Sequence, residues 1–148
     1  SIFEQHDARD VESIHKGAEL LCGGAIPPGP GAFYPPTVLG NVKKGMSVFD
    51  EEVFGPVAAV IKVQDEKEAI RVANDSVFSL GAAIFTRDAV RGEKIARDEL
   101  RAGSAFVNAL VKSDARLPFG GLEQSGYGRE LGIYGIREFV NLKTIYIQ

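Results

Sequence analysis

Short apolar runs alternate with helical segments through the middle of this 148-residue chain, and this alternation most restricts the possible folds. The runs at 57–63, 79–86 and 103–110 are almost continuously apolar, which is typical of strands covered on both faces. Helical segments are predicted between them, at 66–74 and 89–100. Because strands joined through helices form parallel sheets with right-handed crossovers, the sequence predicts an α/β fold.

Turn and cap residues mark the ends of these elements. Pro56 has no N–H group that could bond to a neighbouring strand, so it marks the point where the strand at 57–63 begins. Asp65 and Glu68 have the spacing of a capping box, and Thr86 or Asp88 can cap the second helix.

Four further elements are predicted toward the two ends of the chain. A first helix ends near Gly17 and is followed by a strand at 19–22. A glycine-rich loop, "RLPFGGLEQSGYGRELG", leads into a helix near Arg129. The closing segment 141–148 alternates as a strand does.

The charge and cysteine content exclude several classes of protein. A net charge of −3 gives no electrostatic basis for binding nucleic acid or an anionic membrane. No apolar run approaches the ~20 residues of a membrane span. The single cysteine, Cys22, fits a reducing compartment, so we predict a cytoplasmic protein.

The common nucleotide, nucleophile and metal motifs are incomplete. Gly126-Tyr127-Gly128 begins a dinucleotide fingerprint, but Leu131 stands at its third glycine. We therefore expect the glycines of this loop to supply positive φ angles and close backbone approach. Cys22 is predicted to be a buried structural thiol, and His6 and His15 to be surface residues of the first helix. The sequence thus predicts no metal site.

The stretch "DEEVFGPVAAVIKV" places two acids and a phenylalanine directly before a strand. A solvated turn is the simplest interpretation of Glu51 and Glu52. If the segment is extended, however, Glu52 and Phe54 project to the same side. A carboxylate beside an aromatic ring can accept two hydroxyl hydrogen bonds and shield a planar ring, and a nucleoside offers both groups.

Five blocks of sequence occur together in one order: "EEVFGP", "ANDSVFSLGAAIFTRD", "FVNA", "PFGGLEQSGYGRELG" and "LKTIYI". With this order and spacing the chain resembles the C-terminal third of an NAD(P)-dependent aldehyde dehydrogenase. The stretch "SDARLPFGGLEQSGYGREL" is most similar to bacterial succinate-semialdehyde dehydrogenases. The resemblance implies an enzyme that oxidises a small aldehyde to the carboxylic acid with NAD or NADP as cofactor.

The resemblance also implies roles for individual residues. Glu52 matches the glutamate that holds the nicotinamide-ribose hydroxyls, and Phe54 matches the aromatic residue beside the nicotinamide. Phe119 matches an aromatic residue of the aldehyde tunnel. No catalytic residue falls within this chain, because the family's nucleophilic cysteine and general base lie upstream, and the flanks of Cys22 do not match. The segment alone is therefore expected to be inactive.

The loop "VKSDARLPF" corresponds to the family's variable substrate-facing loop and leaves two interpretations open. In the first, the loop is solvated and Arg116 pairs with Asp114. In the second, Ser113 and Arg116 bind the distal carboxylate of a short semialdehyde, since a guanidinium fork suits a carboxylate.

The resemblance divides the chain into two parts. Residues 1–140 correspond to part of the catalytic domain, and 141–148 to a strand that joins a neighbouring subunit, which implies a homodimer or homotetramer. The alternative is a stand-alone, non-catalytic scaffold or assembly module that keeps the same fold.

Overall fold

Helices and strands alternate along the chain as the apolar pattern predicts. The computed structural model describes residues 2–31 and 33–148, and for residues 2–8 it describes the backbone alone. The chain divides into two units, Ser1–Gln64 and Asp65–Gln148. Each unit contains both helices and strands, so the predicted α/β class is confirmed.

The described residues of the first unit form a three-stranded sheet and two helices. Its elements are α1 (Ile2–His15), β1 (Glu19–Cys22), β2 (Thr37–Gly40), α2 (Ser47–Asp50) and β3 (Val57–Ala59). β1 pairs antiparallel with β2, and β2 pairs parallel with β3. The predicted helix end near Gly17 is confirmed, since this residue follows α1 with a left-handed backbone (φ 103°).

The core of the first unit surrounds Leu39, which is fully buried on β2. The other members of this core are Ala18, Val42, Met46 and Val48, with Phe49, Val53, Val57 and Ile61 packed against them. Val53 and Val57 therefore hold both ends of the short segment that carries Phe54.

β3 is shorter than predicted, and its outer face is uncovered. It spans Val57–Ala59 rather than 57–63, because its partner β2 already ends at Gly40. Val57 packs on the core while Ala58 is exposed, and the side chain of Val60 is 48% exposed. The prediction that this strand is covered on both faces is wrong for the chain as it stands.

Cys22 is exposed rather than buried, which corrects the prediction of a buried structural thiol. It ends β1, an edge strand whose four residues are all exposed. His15 is exposed, as predicted for the first helix. The corresponding prediction for His6 concerns a side chain outside the described residues.

Two polar side chains of α1 hold the start of α2. Glu12 Oε2 accepts a hydrogen bond from Ser47 N at 3.0 Å, and the fully buried Ser13 Oγ accepts one from Val48 N at 3.3 Å. Both bonds satisfy N–H groups in the first turn, which have no partner inside the helix. Lys16 pairs with Glu12, and this contact and the Ser47 N–H group lower the pKa of the Glu12 carboxyl to about 2.

The second unit contains two small sheets and three helices. Its elements are α3 (Glu66–Ala73), β4 (Phe78–Ser79), β5 (Gly81–Ile84), α4 (Ala89–Asp98), β6 (Ser104–Val107), β7 (Leu122–Glu123) and α5 (Gly132–Arg137). β5 and β6 pair in parallel with α4 between them in sequence, as predicted. β4 and β7 add an antiparallel pair.

The predicted caps of α3 and α4 are confirmed. Asp65 Oδ1 accepts from Glu68 N at 2.8 Å, and Asp88 Oδ1 accepts from Arg91 N at 2.9 Å. Within the described part of the chain, no helix combines the length and the apolar character needed to cross a membrane. The cytoplasmic location stays a prediction.

The closing segment 141–148 has no strand partner among the described residues. Its apolar side chains, Leu142, Ile145, Tyr146 and Ile147, are between 75% and 87% exposed. The prediction that this segment pairs with a neighbouring subunit is not tested by a single chain and stays a prediction.

Candidate functional site

The predicted cofactor residues lie on the segment between α2 and β3, which turns tightly at Phe54, since Gly55 N donates to Val53 O at 3.0 Å. Glu51 ends α2 with extended backbone angles (φ −114°, ψ 158°), and its N–H donates to Ser47 O at 2.9 Å. At the other end, Pro56 O accepts from Thr37 N at 2.8 Å, next to the β2–β3 pairing. Both ends are therefore anchored to regular structure.

The two neighbouring acids of this segment have different environments. Glu51 Oε2 accepts from Arg9 Nε at 2.8 Å, an ion pair within the first unit. Glu52 is exposed and has no hydrogen-bond or ion-pair partner among the residues that the structure describes. Phe54, two residues further on, is 75% exposed. This segment thus presents an accessible carboxylate and an accessible aromatic ring.

The chain that leads to the predicted substrate loop, 111–119, leaves β6 at Asn108. This residue has a left-handed backbone (φ 54°), and its N–H donates to Ile84 O at 2.7 Å. Its side-chain Oδ1 accepts from Thr86 N at 2.8 Å. Asparagine tolerates positive φ better than most residues, so Asn108 ends the strand and directs the chain into the loop.

Within the loop, the Arg116 guanidinium binds Asp114. Nε donates to Oδ1 at 2.9 Å and Nη2 to Oδ2 at 2.6 Å, while Arg116 N also donates to Oδ1 at 3.0 Å. The Arg116 side chain and its N–H group lower the pKa of the Asp114 carboxyl to about 2. The pairing expected from the first interpretation of this loop is therefore present. Arg116 and Ser113 both remain exposed, and the exposed fraction of the Arg116 side chain is 85%.

Phe119 is fixed through its backbone. Its N–H donates to Glu130 O at 2.8 Å, and its carbonyl accepts from Glu130 N at 2.7 Å. A Cβ placed on the next residue, Gly120, would lie only 2.4 Å from the carbonyl oxygen of Gly128 in the same loop. Arg129 Nη1 donates at 2.8 Å to the carbonyl of Gly121. The glycines therefore allow close backbone approach, as predicted.

An open cleft of about 460 Å³ lies beside Phe119. The ring shares this cleft with Leu80, Phe139 and the acidic side chain of Glu138. An aromatic wall next to an apolar residue suits the carbon chain of a small molecule.

The structure brings together Ser113, Arg116 and Phe119 on one loop of the second unit, while Glu52 and Phe54 lie together in the first unit. Sequence reasoning did not single out Arg129 or Glu130, which hold the loop. Both occur in the quoted glycine-rich stretch, but their role depends on contacts with distant residues. The predicted start of the last helix near Arg129 is wrong by three residues, because Glu130 pairs with Phe119 and α5 begins at Gly132.

Among the described side chains, those of 9–31 and 33–148, no group of three His, Cys, Asp or Glu could hold a metal ion. Cys22 is an exposed residue of β1 in the first unit. Two groups of residues thus offer contacts to a cofactor and to a substrate: Glu52 with Phe54, and the loop residues Ser113, Arg116 and Phe119. Cys22 belongs to neither group.

Comparison with known proteins identifies the family to which this chain belongs. The model of the aldehyde dehydrogenase family matches residues 3–145. An aldehyde dehydrogenase of Paenarthrobacter nicotinovorans is 49% identical over 140 residues, which are 95% of this chain and 29% of that protein. Succinate-semialdehyde dehydrogenase [NADP(+)] 1 of Mycobacterium tuberculosis is 47% identical over 141 residues, covering 95% of this chain and 31% of that protein.

A solved structure agrees with these relatives. The aldehyde dehydrogenase of Mycobacterium tuberculosis in complex with NAD+ superposes with a TM-score of 0.87 at 38% identity, over 93% of this chain and 29% of that one. The chain belongs to the aldehyde dehydrogenase family. It spans about three tenths of the length of the curated relatives that it matches, 29% and 31% for the two described above.

Proposed function

We propose that this chain is the C-terminal third of an NAD(P)-dependent aldehyde dehydrogenase that oxidises succinate semialdehyde to the dicarboxylic acid. Residues 1–140 belong to the catalytic domain in this proposal, and 141–148 form an oligomerisation strand. The family match over residues 3–145 supports the class, and the 47% identical mycobacterial relative supports the substrate. The main structural support for the proposal is that Glu52 and Phe54, two residues apart, are both exposed.

The nicotinamide half of NAD or NADP fits this pair. An exposed carboxylate without another partner among the described residues is free to accept two hydroxyl hydrogen bonds, as ribose requires. The Phe54 ring offers an apolar face beside which a planar ring packs. Glu52 would hold and orient the ribose of a bound cofactor, and Phe54 would exclude water from one face of its nicotinamide ring. The chemistry supplied there would be that of a hydride acceptor.

The loop 111–119 of the second unit carries the residues proposed to bind the aldehyde. Phe119 forms a wall for the carbon chain, while Ser113 and Arg116 bind the distal carboxylate. A guanidinium group has five N–H donors, and Asp114 engages those on Nε and Nη2. The substrate carboxylate therefore shares Arg116 with Asp114.

The attacking nucleophile and the general base lie outside this chain in the proposal. Acyl chemistry on an aldehyde needs an activated nucleophile and donors for the developing oxyanion. Cys22 lies on the edge strand β1, and its flanks do not match the family's nucleophile motif. The described residues of this chain thus bind and orient the cofactor and the substrate.

The test is a steady-state assay with the purified full-length protein. Succinate semialdehyde should drive the formation of reduced nicotinamide, with butanal as the neutral control of equal carbon number. The isolated 148-residue chain, verified by mass, should give no turnover with either aldehyde. Turnover by the isolated chain, or none by the full-length protein with any aldehyde, would contradict the proposal.

A further inference from the structure

Residues 130–132 form backbone hydrogen bonds with the loop that carries Ser113, Arg116 and Phe119. The N–H and C=O groups of Glu130 both pair with Phe119, at 2.7 and 2.8 Å, and the N–H of Gly132 donates to Ala115 O at 3.1 Å. These bonds fix the two ends of the arc 115–119, which contains Arg116. A single residue, Leu131, joins the two points of attachment.

Leu131 has a backbone conformation that glycine almost alone adopts, with φ 63° and ψ 167°. Gly132 follows with a positive φ of 57°, and a Cβ placed on it would lie 3.2 Å from Arg116 O. The chain then enters α5, where Gly135 N donates to Leu131 O at 2.9 Å. A residue with a Cβ keeps such a conformation when the contacts around it leave no alternative.

Packing of the Leu131 side chain does not explain this conformation. The side chain is half-buried and lines an apolar cleft with Ile136 and Phe139. A leucine can make such contacts from an ordinary backbone with negative φ. The contacts that require the unusual angles are the backbone bonds on either side, to Phe119 and to Ala115.

We infer that Leu131 is a positioning residue for the aldehyde-binding loop. Its backbone sets the spacing between the bonds that hold Ala115 and Phe119, and through them the positions of Arg116 and the Phe119 ring. The consequence for catalysis rests on the proposed function, whereas the consequence for the loop's structure does not.

The test exchanges leucine for its isomer in the full-length protein. Leu131→Ile keeps the size and apolar character of the side chain, but a β-branched residue resists positive φ. We expect the KM for succinate semialdehyde to rise about tenfold, since a small misplacement of substrate-positioning groups has effects of at least this size. The dissociation constant of the cofactor should not change. The reverse exchange in α5, Ile133→Leu, is the matched control and should leave the KM unaltered.

Two truncations separate backbone strain from side-chain packing. Leu131→Gly and Leu131→Ala both remove the side chain, but glycine takes the required conformation without strain. The glycine variant should therefore unfold at a higher temperature than the alanine variant, and its aldehyde KM should lie well below that of Leu131→Ile. A higher melting temperature for the alanine variant would overturn the inference.

Amide hydrogen exchange gives a readout that does not depend on activity. The N–H groups of Phe119, Glu130 and Gly132 should exchange slowly in the wild type and faster in Leu131→Ile. Fast exchange at these amides in the wild type, or an unchanged aldehyde KM in Leu131→Ile, would overturn the inference. If Leu131→Ile does not fold, the wild-type exchange rates and the Gly–Ala comparison decide the question. If the wild type oxidises no aldehyde, the proposed function fails, and these same two measurements still decide the role of Leu131.

Discussion

Arg116 donates to both carboxylate oxygens of Asp114, from Nε to Oδ1 at 2.9 Å and from Nη2 to Oδ2 at 2.6 Å. With its pKa lowered to about 2, Asp114 is ionised at neutral pH, so the pair carries no net charge. A substrate carboxylate that binds Arg116 must do so beside a second negative group. Under the proposed function, we therefore expect the affinity of this loop for a carboxylate to be weaker than that of an unpaired arginine, with Ser113 as a second donor.

The first prediction concerns this loop. Arg116→Ala and Ser113→Ala in the full-length protein should raise the KM for succinate semialdehyde more than the KM for butanal. The loss of a hydrogen bond to a charged group costs about 1.5–3 kcal/mol, or roughly tenfold or more in KM. Lys112→Ala removes a charge from the same loop without removing either proposed contact and is the control. Equal effects on both aldehydes would exclude Ser113 and Arg116 as carboxylate ligands and weaken the assignment of the substrate.

The second prediction concerns the neighbouring acids. Glu52→Gln should weaken binding of the cofactor and slow hydride transfer by roughly tenfold or more, because a charge-assisted bond worth about 1.5–3 kcal/mol is lost. Glu51→Gln is the matched control, since Glu51 pairs with Arg9. Single-turnover kinetics measure both effects. Glu52 would be an ordinary surface acid if its variant and the control gave the same hydride-transfer rate and cofactor affinity.

The third prediction is a pH dependence of stability that arises from Glu12. Lys16 and the Ser47 N–H group lower the folded-state pKa of this carboxyl from 4.5 to about 2. A lowered pKa in an acid means that its contribution to stability is fully present above pH 4.5 and is lost as the pH falls toward 2. The melting temperatures of wild type and Glu12→Gln should therefore differ more at neutral pH than at pH values between these two limits. A constant difference across this range would show that Glu12 does not contribute through its charge.

The fourth prediction concerns the closing segment. Its exposed β-branched and aromatic side chains, without a strand partner among the described residues, favour pairing with another chain. Deletion of residues 144–148 from the full-length protein should shift a homodimer or homotetramer toward monomer or aggregate. Light scattering measures the change. An unaltered molar mass and melting temperature would indicate that the segment has no part in assembly.

Local sequence signals predicted much of the fold. Strand Glu19–Cys22, the caps Asp65 and Asp88, and the parallel pairing of β5 with β6 all follow from apolar runs and cap residues. These features depend on neighbours within a few positions, which is the range over which propensity and capping act. The same signals left the segment with Glu52 and Phe54 open between a solvated turn and an extended strand, and the structure shows a tight turn closed by the bond from Gly55 N to Val53 O.

Features that depend on distant partners were not predictable in this way. The exposure of Cys22 depends on what covers β1, and an apolar strand sequence does not carry that information. The length of β3 is set by the end of β2 at Gly40, seventeen positions before Val57. The left-handed Leu131 breaks a local preference, and its explanation lies in bonds to a loop more than ten residues away.

The attachment of the substrate loop has a consequence for how such an enzyme can change during evolution. The bonds that hold the loop, from Gly132 N to Ala115 O and between Phe119 and Glu130, join main-chain atoms. None of these bonds uses a side-chain atom of Ser113, Arg116 or Leu117. Under the proposed function, we therefore expect that exchanging Ser113, Arg116 or Leu117 changes the aldehyde specificity by point mutation while the loop keeps its path. Libraries for directed evolution are best concentrated at these three positions, with 130–132 kept constant.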